Sequence, residues 1–185
     1  ALPLTFSGLI VAYGFILENT SDDVATDISI SVSAYDAGDN AVASDSHTVY
    51  LLRPGEKIGL GDEFYGTAFA ADVARVDVQV SEPQDGFGTD DVPAEGSITA
   101  EGITTQSDEF SITTTFTAKS TYAEQVDYPY PYAIYRNAAG DIIGGSTGTI
   151  DFIPANGSTA GEVRSWDAIP NIETTEIYVD PGFFD

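Results

Sequence analysis

Ile28-Ser29-Ile30-Ser31-Val32-Ser33-Ala34-Tyr35 is an extended run that breaks into Asp36-Ala37-Gly38-Asp39-Asn40, after which a second run leads to Pro54-Gly55. The same order returns a hundred residues later, with Tyr132-Ala133-Ile134-Tyr135, a turn, another run and Pro154. The separation from tyrosine to proline is equal in the two copies, which aligns Tyr35 with Tyr135 and Pro54 with Pro154. Each copy closes on an alternating apolar strand, Val76, Val78 and Val80 in the first and Ile177 and Val179 in the second. Self-similarity at a fixed period identifies a tandem repeat, and alternation with a period of two makes its unit a β unit. Helical periodicity is absent. We therefore expect an all-β chain of two tandem antiparallel β-sandwiches, an architecture that names no chemistry by itself.

The boundaries follow from turn residues and prolines. Residues 1–8 form an extension in which Leu2, Leu4 and Phe6 alternate with Pro3, Thr5 and Ser7, the pattern of an edge strand, where proline is tolerated. The first sandwich is expected over 9–80, with strands at 11–18, 28–35, 41–52 and 73–80. Residues 81–97, interrupted by Pro83 and Pro93, read as an acidic linker. The second sandwich follows over 98–180, with strands at 98–105, 110–118, 128–136, 142–152, 161–166 and 174–179. Residues 181–185 are a tail carrying Phe183 and Phe184.

Charge excludes whole classes of partner. Against 30 acidic residues stand 6 basic ones, a formal net charge of -24 over 185 residues, which repels phosphate backbones and anionic membranes. Neither nucleic acid nor a membrane span is expected, since no apolar stretch has the length to cross a bilayer. Without cysteine there is no disulfide, thiol catalysis or thiolate metal site. An acidic, lysine-poor surface suits a salty medium or the binding of cations, Ca2+ among them. The first residue is Ala1 rather than Met, which we read as an exported chain whose leader has been removed.

The run Tyr13-Gly14-Phe15-Ile16-Leu17-Glu18-Asn19-Thr20, then Val32-Ser33-Ala34-Tyr35-Asp36, the turn through Gly38-Asp39-Asn40, and Arg53-Pro54-Gly55-Glu56 together resemble the FxLYD family of exported bacterial and archaeal immunoglobulin-like domains. The second half is similar but more divergent: Arg136 stands where the family has Asp, and Pro154-Ala155 where it has Pro-Gly. The resemblance implies two immunoglobulin-like folds and a secreted or cell-surface location. It implies no catalytic site.

Candidate sites compete with plainer readings. His47, the single histidine, sits in Ser44-Asp45-Ser46-His47, where neighbours alternate between faces, so it is expected to be a surface or edge residue without catalytic partners. Asp36, Asp39, Asp85, Asp90 and Asp91 are candidate Ca2+ ligands, although Asp, Asn and Gly are also what tight turns select. Tyr128, Tyr130 and Tyr132 alternate with prolines and could present three rings to a glycan, or protect an edge strand. Asn19 and Asn156 head glycosylation sequons. Lys119, in an expected strand, is either a surface lysine or a candidate for a Lys–Asn cross-link. The apolar extension is held by its own first half, or by adding to the sheet of a neighbouring copy, which would propagate into a filament. The expected function is accordingly a non-enzymatic extracellular structural or adhesive protein. It would assemble head-to-tail with itself, or attach to other surface proteins, through Leu2, Leu4, Phe6, Phe183 and Phe184. The alternative is a soluble extracellular binding module for a glycan or Ca2+. No cofactor other than Ca2+ is expected.

Overall fold

The computed structural model describes residues 5–6, 10–65, 73–81, 95–166 and 168–182. Every regular element among them is a strand, in keeping with the all-β expectation. The first half contributes β1 (Thr5–Phe6), β2 (Ile10–Glu18), β3 (Ala25–Tyr35), β4 (Ala41–Leu52), β5 (Lys57–Tyr65) and β6 (Arg75–Val80). These form two sheets, β1-β2-β5 and β4-β3-β6. The second half contributes β7 (Ile98–Ser107), β8 (Ile112–Ser120), β9 (Val126–Asp127), β10 (Tyr130–Arg136), β11 (Ile142–Thr149), β12 (Phe152–Ile153), β13 (Ser158–Ser165) and β14 (Thr174–Asp180). Six of them form one sheet in the order β14-β10-β11-β13-β8-β7, and β9 pairs with β12. Only Gly148–Val163 and Thr149–Glu162 join β11 to β13, so the sheet turns there. Its two ends meet where the hydroxyls of Thr105 on β7 and Thr175 on β14 lie 2.7 Å apart.

The repeat is visible in the pairing. The antiparallel pairs β1–β2, β2–β5, β3–β4 and β3–β6 return as β7–β8, β8–β13, β10–β11 and β10–β14. The residue equivalence is one position away from the one that tyrosine and proline suggest. Before the bulge in each copy, Ala34 pairs with Ala43 and Val76, while Tyr135 pairs with Gly144 and Thr175. Tyr135 thus stands where Ala34 does, and Arg136 where Tyr35 does. The later turn agrees: Glu56 N–H donates to Arg53 and Gly157 N–H to Pro154, with positive φ at Gly55 (73°) and Asn156 (47°). A one-residue slip moves a side chain to the other face of a strand. Tyr135 accordingly fills a core, whereas Tyr35 lies half-buried under the Arg75 guanidinium, 4.0 Å from its ring centre.

The two halves are packed against each other through β2 and β5. Val11, Tyr13 and Phe15 of β2 pack with Ile28, Ile30 and Val32 in the first core, while Ala12 joins the core of the second half. Burial of both faces explains the nearly continuous apolar run of β2. On β5, Gly59 abuts Ile134 and Tyr178, and Gly61 abuts Gly145 of β11. These two glycines interrupt the alternation that marks a strand, so β5 has no counterpart among the strands expected from sequence. The other elements agree with the sequence reading to within a few residues, save that the short β9 has no expected counterpart, the strand expected at 128–136 begins at Tyr130 and the one expected at 142–152 divides into β11 and β12.

Candidate functional site

On β5 the positions facing the first core run Ile58, Leu60, Asp62, Phe64, and Asp62 is paired directly with Tyr13 of β2. On β4, Asp45, His47 and Val49 occupy alternate positions and therefore share a face. Where β4 and β5 come together, Asp45 and His47 meet at the Tyr13 hydroxyl and Asp62 lies beside them. That hydroxyl donates to Asp45 Oδ2 at 2.6 Å and lies 2.7 Å from His47 Nε2. His47 Nε2 is 3.7 Å from Asp45 Oδ2, and its side chain is 6% exposed. One donor atom from each of Asp45, His47 and Asp62 lies within 4.8 Å of the others, a grouping suited to a metal ion. The Tyr13 ring is held by Phe64, with centroids 4.7 Å apart, and His47 meets Tyr132 of β10 edge-on at 6.1 Å.

Above this cluster a cleft of about 340 Å³ opens between the halves, lined by His47, Tyr50, Asp62, Tyr130, Tyr132 and Thr147 among others. Its volume falls at the lower end of small-molecule sites, roughly 300–1,000 Å³. Tyr50 and Tyr130 stack across its mouth, with centroids 6.1 Å apart and planes 23° from parallel. The wall is braced from behind by Asp180 of β14, fully buried, which accepts hydrogen bonds from Tyr50 N–H (3.1 Å) and Gly182 N–H (2.9 Å).

Burial sets the protonation in this region. It raises Asp62 to about 6, with the Asp45 and Glu63 carboxylates adding to the rise and the Glu63 N–H opposing it. It lowers His47, against the pull of Asp45 in the other direction. It raises Tyr13, helped by the hydrogen bond to Asp45, and it raises Tyr132. Asp180 is raised to about 6 by burial in spite of its two N–H donors.

Of the surface or edge position expected for His47, the edge holds, since β4 is the outer strand of its sheet, but the side chain is buried. The relevant spacing is two residues, which puts Asp45 on the same face, and Asp62 advertises itself as a carboxylate in a core-facing position between Leu60 and Phe64. The three tyrosines do not form one platform either. Tyr132 is buried beside His47 and Tyr130 lines the cleft, but Tyr128 has a φ of 48° and lies exposed outside β10. Asp36 serves its own turn, accepting hydrogen bonds from Gly38 N–H, Asn40 N–H and the Asn40 amide, and Asp39 pairs with Arg75 at 3.1 Å. Asp85, Asp90 and Asp91 lie outside the described residues, as do Leu2, Leu4, Phe183 and Phe184. Phe6 pairs with Val11 of its own chain. Lys119 pairs with Glu101 on the surface of β7 and β8. Asn19, the first glycosylation candidate, donates its side-chain N–H groups to the Asp23 and Leu52 carbonyls. Asn156 stays exposed.

No family model matches this chain, and no curated protein matches it. Solved structures similar to it include the exo-chitosanase CsxA of Amycolatopsis orientalis, at 11% identity and a TM-score of 0.31, over 96% of this chain and 25% of that one. A β-glucuronidase of glycoside hydrolase family 2 is similar at 12% identity and a TM-score of 0.25, over 97% of this chain and 21% of that one. The N-terminal CBM22-1–CBM22-2 tandem domain of Paenibacillus barcinonensis Xyn10C is similar at 10% identity and a TM-score of 0.20, over 97% and 73% of the two chains. This chain spans about a quarter of the length of the first two.

Proposed function

We propose that this chain is an exported, non-enzymatic binding module, built as two immunoglobulin-like sandwiches in tandem, whose cleft between the halves receives a small polar ligand of the sugar class. The observation that carries this reading is the pairing of Tyr50 and Tyr130 at the mouth of the cleft with His47 and Asp62 inside it. Ring faces are suited to the apolar face of a sugar, and a few convergent polar groups in a concave site fix orientation. The competing reading, a filament subunit joined by strand addition, requires Phe6 to leave its pairing with Val11 of the same chain.

Saturation-transfer NMR and calorimetry with a panel of mono- and oligosaccharides test the proposal. Binding is expected for at least one member of the panel and is expected to be lost in Tyr130→Ala and Tyr50→Ala. Absence of binding across the panel overturns the reading, as does binding that both variants retain in full.

A further inference from the structure

We propose that Asp45, His47 and Asp62 bind one divalent transition-metal ion of the Zn2+ class at the floor of the cleft. Strands β4 and β5 supply the donor atoms, which already lie within 4.8 Å of one another. Zn2+ bonds of about 2.0–2.2 Å to imidazole nitrogen and carboxylate oxygen place tetrahedral ligand atoms about 3.4 Å apart. The 3.7 Å between His47 Nε2 and Asp45 Oδ2 is close to that value. The widest separation in the group has to close by about an ångström or somewhat more. The Tyr13 hydroxyl lies against both Asp45 Oδ2 and His47 Nε2, so it stands where the ion would bind Nε2 and has to turn away when the ion enters.

Charge argues for a cation independently of distance. Two carboxylates share a partly desolvated space, where each is penalised by burial and by the other. The chain has six basic side chains, and all are engaged elsewhere. Lys57 pairs with Glu18, Arg75 with Asp39 and Asp77, Lys119 with Glu101 and Arg136 with Glu176. Arg53 and Arg164 lie over the rings of Tyr122 and Trp166. No lysine or arginine is left to neutralise Asp45 and Asp62, which leaves room for a cation from solution. The donor set selects among cations. Ca2+ takes six to eight oxygens, whereas an imidazole nitrogen with two carboxylates suits Zn2+ and its first-row neighbours. Three protein ligands leave a coordination position open, and the cleft with Tyr50 and Tyr130 is the space it would face.

The inference does not depend on a sugar, and its test uses the metal alone. Calorimetric titration of the full chain with ZnCl2, in excess Ca2+ to occupy scattered surface carboxylates, is expected to give one saturable equivalent. The NMR signals of the single imidazole are expected to shift with the same stoichiometry. Asp62→Asn removes a buried charge and is expected to fold; it and His47→Gln are each expected to weaken Zn2+ binding about tenfold or more. Weak, unsaturable uptake overturns the proposal, as does an affinity unchanged in Asp62→Asn. If His47→Gln does not fold, Asp62→Asn and the imidazole signals decide. Zn2+ binding without any sugar binding would leave the metal site standing and remove only the sugar reading.

Discussion

Gly61 of β5 and Gly145 of β11 lie back to back: a Cβ built on Gly61 would come within 2.6 Å of the Gly145 Cα, and one built on Gly145 within 2.7 Å of the Gly61 Cα. Their other near neighbours, Ala133 O, Ser146 N and Tyr13 O, are backbone as well, so no flexible side chain can yield. Gly61→Ala and Gly145→Ala are each expected to destabilise the fold by about 1–3 kcal/mol or more through overpacking. Denaturant unfolding followed by fluorescence checks this. Because the halves share this contact, a single cooperative transition is expected, and two separated transitions of independent halves would contradict the packing described here.

Glu63 ties the same two halves by hydrogen bonds. It is buried, accepts from the Ser165 hydroxyl and from Trp166 N–H (3.1 Å) across the boundary, and accepts from the Tyr65 hydroxyl at 2.6 Å within its own half. Truncation leaves the buried Ser165 hydroxyl and the half-buried Trp166 N–H without this acceptor. Glu63→Ala is expected to cost about 1–3 kcal/mol, and Glu63→Gln, which keeps one oxygen, less than that. A double-mutant cycle with Ser165→Ala is expected to return a coupling energy above about 0.5 kcal/mol. Strict additivity would mean that the Ser165 contact contributes nothing of its own.

Strand content was largely legible in the sequence, because alternation such as Ile28, Ile30, Val32 reports one buried face directly. What alternation does not report is a second buried face. Ser33 and Ile134 occupy equivalent places, yet Ser33 lies on an outer face and Ile134 is buried against Gly14 and Gly59. That face is decided by where the other half docks, and the signal for docking was the absence of side chains at Gly14, Gly59, Gly61, Gly144 and Gly145. The repeat itself was legible, but its register was not, since Tyr135 and Tyr35 look equivalent as letters and differ by one position in the ladder. The cluster around Tyr13 was missed for a related reason. Asp45 and His47 share a face on β4, but their partner Asp62 lies on β5, whose glycines hid it as a strand.

Asn19 and Asn156 head similar triplets and have opposite structural roles. Asn19 is 8% exposed, donates to Asp23 O (2.8 Å) and Leu52 O (2.9 Å), and accepts from Ser21. Asn156 is exposed and holds a φ of 47° in a turn. Asn19→Ala is expected to destabilise by about 1–3 kcal/mol, because the buried Leu52 carbonyl loses a donor and the Asp23 carbonyl loses another. Asn156→Gly is expected to be neutral to within a few tenths of a kcal/mol, since glycine adopts that conformation without penalty. Thermal denaturation of the two variants side by side checks the contrast, and equal losses would refute it.

Asp180 makes stability depend on pH in the direction opposite to that of a salt-bridged carboxylate. Its folded-state value of about 6 lies above the ordinary 3.8, so the folded protein holds this proton more tightly than the unfolded chain does. Its favourable contribution is complete below about pH 3.8 and is lost as pH rises through about 6. A shift of about two units corresponds to about 3 kcal/mol. General relief of the acidic surface at low pH acts in the same direction, so the group has to be isolated by comparison with Asp180→Asn, which cannot titrate. The stability advantage of the parent over the variant is expected to be largest near pH 4 and to shrink by up to about 3 kcal/mol by pH 7. Denaturant melts of both proteins across that range provide the measurement. A difference that stays constant with pH would mean that Asp180 is ionised throughout, with the N–H groups of Tyr50 and Gly182 outweighing its burial.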